Sequence, residues 1–129
     1  MALSYFGKKA DLERLCKDLN PHWKKGISNQ ALLKTIRNEN LTVEARKNFS
    51  FDEIKRDLSQ NSLVIINYIE NKYDEGHYAL VSKVGRKYIH LLDPLHGKNF
   101  KLLHAEFKKR WQSEFGGHKR WAAVVSEAD

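Results

Sequence analysis

Three strand-like runs follow one another in the middle of the chain: SLVIINYIE (62–70), HYALVSKV (77–84) and YIHLLD (88–93). The first is apolar enough to be buried, and the other two predict a hairpin turning around Gly85. KNFKLL (98–103) and RWAAVVSE (120–127) predict further strands, and LTVEA (41–45) alternates as a short one. Helical patterns fall mostly before this block. The order predicts one α+β domain over residues 1–129, with an antiparallel sheet of about five strands packed against amino-terminal helices.

The helical segments have local signals. DLERLCKDL (11–19) sets Leu12, Leu15, Cys16 and Leu19 on one face, and Asn20-Pro21 ends it. SNQALLKTIRNE (28–39) predicts a helix capped by Ser28, with Leu32, Leu33 and Ile36 inward. FSFDEI (49–54) has a full start signal: Ser50 as cap, Glu53 three residues on, and Phe49 positioned to staple to Ile54. AEFKKRW (105–111) predicts a late helix with Phe107 and Trp111 inward and His104 as its cap. ALSYF (2–6) reads as the end of a helix stopped by Gly7, with Tyr5 and Phe6 in the core.

Composition sets limits. The chain has 129 residues, 41% of them hydrophobic, which suits one globular domain. The longest apolar run, LVIINYI, is too short to span a bilayer, and MALSYFGKKADLE lacks the layout of a signal peptide. Cys16 is the only cysteine, which excludes an intrachain disulfide and fits a cytoplasmic setting. The net charge of +7 favours acidic partners, but no nucleic-acid-binding motif accompanies it, and it reads as a solvated basic surface. No cofactor is expected. His77, His90, Asp93 and His96 scatter over both faces of the hairpin, so no metal site is expected either.

His77 opens the first hairpin strand and Asp93 closes the second. A two-residue turn at Gly85-Arg86 pairs 84 with 87 and sends the two to opposite faces. A three-residue turn over 85–87 pairs 84 with 88 and sets Asp93 opposite Ala79, diagonal to His77 at roughly 7 Å between backbones. The pair therefore needs an odd-length connection or a bulge. A carboxylate beside an imidazole fixes its tautomer and stabilises the imidazolium, as in thiol and serine hydrolases. His90, in mid-strand, is expected on the solvent face.

Several segments together carry a resemblance: ALSYFGKKADLERL, GISNQALLKTIRNENLTVEA, GHYALVSKV, YIHLLDP and FKLLHAEFKKRW. In order and spacing they resemble the bacteriocin-processing cysteine peptidases, papain-like domains that trim double-glycine leader peptides. The resemblance implies a papain-like fold, a peptide or protein substrate, His77 as base and Asp93 as orienting acid. The family's nucleophilic cysteine opens the helix whose later part resembles MALSYFG, and no residue of this sequence matches it. Cys16 falls in the wrong helix, on a leucine stripe that raises a thiol's pKa. Two classes stay open here: a cysteine peptidase inactive in this 129-residue form, or a complete non-catalytic module that binds peptides or partners. An exposed apolar face at the amino-terminal helix would predict self-association.

Overall fold

The structure is a computed structural model that describes residues 29–37, 41–60, 62–69, 76–93, 97–111 and 120–127. Along these the chain forms α1 (Asn29–Arg37), β1 (Leu41–Arg46), α2 (Phe51–Ser59), β2 (Leu63–Ile69) and β3 (Gly76–Val84). It continues with β4 (Tyr88–Asp93), β5 (Gly97–Leu103), α3 (His104–Arg110) and β6 (Ala122–Glu127). The expected helices over 2–6 and 11–19, with Tyr5, Phe6 and Cys16, lie outside the described residues, as do Ser28 and His96.

All paired strands are antiparallel, in one sheet of order β1-β6-β2-β3-β4-β5. The sheet has six strands, in line with the expected count of about five. LTVEAR forms a full edge strand because β6 inserts between it and β2, pairing Leu41 with Glu127 through Arg46 with Ala122. The last strand begins at Ala122 rather than at Arg120, because Arg120 takes a positive φ of 49°. Its N–H donates to the Trp111 carbonyl at 2.8 Å, and its carbonyl accepts from the Phe49 N–H at 3.0 Å.

Both faces of the sheet are covered, which explains the near-continuous burial along β2. Ile36 of α1 packs with Leu63, Ile65, Leu80 and Val125 on one face, and Leu33 lies against that cluster. On the other, Ile54 of α2 and Phe107 of α3 pack with Val64, Ile66, Tyr68 and Leu91. Fully burying one such aliphatic side chain contributes about 1.5–3 kcal/mol.

The start of α2 follows the sequence signal. Ser50 has an extended backbone, and its hydroxyl oxygen accepts from the Glu53 N–H at 3.2 Å. The hydroxyl also donates to Glu53 Oε1 at 3.1 Å. Phe49 and Ile54 are buried in the same cluster, as a staple requires. A cap of this kind contributes about 1 kcal/mol.

The late helix differs at its start. Leu103 is the N-cap and makes no side-chain cap bond, so the expected role of His104 as the cap is overturned. His104 is the first helical residue instead. Its N–H donates to the Lys87 carbonyl at 3.1 Å, and its ring stacks on Phe51 at 4.6 Å. These contacts turn the imidazole toward α2 rather than toward the end of its own helix.

Candidate active site

The β3–β4 hairpin decides whether positions 77 and 93 share a face. Neither expected turn forms. Val84 pairs with Ile89, and the chain reverses at Arg86-Lys87. Gly85 allows this because its N–H donates to the Tyr88 carbonyl at 2.8 Å. A Cβ at Gly85 would stand 3.3 Å from that same oxygen, so a side chain would crowd the reversal.

Continued unchanged, the register of Val84 with Ile89 and Lys83 with His90 would send Asp93 to the face opposite position 77. A bulge prevents this. After it, Val81 pairs with Leu91 and Leu80 with Leu92, which leaves Ser82 as the extra residue. The Ser82 hydroxyl donates to the His90 carbonyl at 3.1 Å. Extended by one residue, the corrected register sets Asp93 opposite Ala79. Strand alternation then assigns positions 77, 79 and 93 to one face. The side chain of His77 is not among the described ones.

Asp93 is only 2% exposed. The Tyr68 hydroxyl donates to its Oδ2. A carboxylate is not kept in an apolar interior without such a donor, because an unpaired buried charge is strongly disfavoured. Tyr68 is itself fully buried, with its ring 6.1 Å from that of Phe107. On the sheet it stands directly opposite position 77. Sequence reasoning missed Tyr68. The available signal was a phenol in a mostly apolar buried strand, where a hydroxyl needs a partner.

Other groups near the hairpin separate from this site. Tyr78 is buried on the opposite face, its ring 6.0 Å from that of Trp121. Burial pushes its pKa up to about 12, so it remains a neutral phenol. Arg110 donates to the Ile69 carbonyl at 3.2 Å, securing the end of β2 where Ile69 pairs with Gly76.

His90 alternates to the face away from Asp93, in a cross-strand row with Lys83 and Lys101. Partial burial lowers its pKa, and the charges of Lys83 and Lys101 lower it further. The unfolded chain therefore binds this proton more readily than the folded one. Stability is intact above about pH 6.5, the ordinary imidazole value, and falls as pH drops through the depressed folded value. Urea midpoints are expected to fall from pH 7 to pH 5, and His90→Gln to flatten part of that fall. An identical slope in the variant would refute this assignment.

Among the described residues, no group of three or more histidine, cysteine or acidic side chains is placed to hold a metal ion. Likewise, no described helix is long and apolar enough to cross a membrane.

The described residues thus form a six-stranded antiparallel sheet with helices on both faces, an α+β architecture, with a buried aspartate on the face of position 77. A model of the Peptidase C39 family matches residues 1–115, and the chain belongs to that family. A search of curated proteins gave no significant match. Among solved structures, the fold is similar to the peptidase domain of Streptococcus ComA, a bi-functional ABC transporter involved in a quorum-sensing pathway. That alignment has a TM-score of 0.59 at 15% identity, covering 81% of this chain and 69% of the other.

Proposed function

We propose that this chain carries the histidine–aspartate half of a thiol peptidase site that acts on leader peptides, with His77 as base and Asp93 as orienting acid. The observation that carries the reading is the buried, hydrogen-bonded carboxylate of Asp93, on the sheet face of position 77. Membership of the peptidase family supports a peptide substrate. In such a site the histidine takes a proton from the thiol and returns it to the leaving amine, and the aspartate holds the imidazole in one tautomer. The only thiol of the sequence is Cys16, and its leucine stripe suits a core position better than a thiolate. On this reading His77 and Asp93 serve a thiolate nucleophile, and Cys16 is not the thiol they serve.

The test joins intact mass of the protein from its own cells with cleavage of a peptide that carries a double-glycine leader. Leader cleavage that is lost in His77→Ala is the expected result, and the intact mass identifies the chain that carries the nucleophile. A species with the mass of residues 1–129 that binds the leader without cutting it would instead identify a binding module. Neither binding nor cleavage would overturn both.

A further inference from the structure

We propose that Tyr68 is a positioning residue for Asp93: its phenol crosses β3 and fixes the carboxylate in the orientation that serves position 77. This rests on the reading of His77 and Asp93 given above. Tyr68 lies on β2 and Asp93 on β4, so the phenol spans two strand spacings, roughly 10 Å between backbones. On β3 between them, Ala79 is fully buried and adds only a methyl group to that face. A larger side chain there would occupy the path of the phenol.

Two features make this more than a core contact. The phenol donates to one named oxygen, Oδ2, and this restrains rotation of the carboxylate about its Cβ–Cγ bond. A donor to a carboxylate also favours its charged form, the form that stabilises an imidazolium. The ring has a firm seat as well. Phe107 packs against it at 6.1 Å, and Phe107 in turn lies 5.1 Å from Trp111. The chain of contacts thus runs from α3 through Tyr68 to Asp93.

The experiment reads the His77 imidazole in the 129-residue chain. Ring nitrogens are labelled with ¹⁵N, the signals are assigned with His77→Gln, and tautomers are counted at about pH 8, where an ordinary imidazole is neutral. The native chain is expected to hold one tautomer in large excess. Asp93→Asn is expected to remove that preference. Tyr68→Phe, which deletes only the hydroxyl, is expected to reduce the tautomer ratio by about tenfold, the size of one hydrogen bond. Its amide spectrum is expected to stay native elsewhere. A mere packing role for Tyr68 would leave the ratio unchanged in Tyr68→Phe while Asp93→Asn still moves it, and that result overturns the proposal. If Asp93→Asn leaves the ratio unchanged, the His77–Asp93 reading itself fails and takes the proposal with it. Should Tyr68→Phe not fold, the Tyr68 hydroxyl proton of the native chain decides between the two roles. A slowly exchanging signal supports the proposal, and exchange as fast as that of an exposed phenol overturns it.

Discussion

Replacing Trp111 with alanine is expected to destabilise the domain by about 3–5 kcal/mol, the usual cost of emptying a buried aromatic site. Trp111 is 2% exposed and stands at the junction of three elements. Its indole N–H donates to the Trp121 carbonyl at 2.9 Å, beside the start of β6. Its own carbonyl accepts from Arg120 at 2.8 Å, and its ring lies 5.1 Å from Phe107 and 5.9 Å from Phe51. The substitution therefore leaves a cavity and also removes the donor to the Trp121 carbonyl. Because whole domains are stable by only about 5–15 kcal/mol, the variant is expected near its unfolding threshold at room temperature. Urea unfolding followed by far-ultraviolet circular dichroism measures this, with Trp111→Phe expected to lose much less. A loss below about 1 kcal/mol in Trp111→Ala would show that the site collapses without a void.

Asp93→Asn is expected to have its large effect on chemistry and not on stability. The amide has the shape of the carboxylate, and its oxygen still accepts from the Tyr68 hydroxyl. What it lacks is the negative charge that favours an imidazolium and the acceptor pair that selects the histidine tautomer. In the protein that supplies the thiolate, kcat for leader cleavage is expected to fall on the order of 10²–10⁴-fold, the range for loss of effective general acid–base catalysis. The urea midpoint is expected to stay close to native. A kcat within a few-fold of the native value would remove Asp93 from the site. A large loss of stability would make its role structural.

Most of the elements were legible in the sequence because their signals are local. Ser50, Glu53, Phe49 and Ile54 encode a helix start within six residues, and the structure forms that start. Phe107 and Trp111 at helical spacing are both core residues, as expected. His104 was misread because its partners, Lys87 and Phe51, are distant in sequence. Tyr68 was passed over for the same reason: a phenol in an apolar run announces that it needs a partner and not which one.

By itself the sequence determined the strands and helices of the described residues, the α+β class and the two positions worth testing, because short-range periodicity and turn chemistry write these into neighbouring residues. Only the tertiary structure decided how those positions meet. The turn at Arg86-Lys87 sends them to opposite faces, and the single extra residue at Ser82 brings them to one. The placement of β6 between β1 and β2 was likewise settled by pairing across the chain. Register depends on hydrogen bonds between distant strands, and a slip of one residue exchanges the faces of the sheet, so no local pattern fixes it.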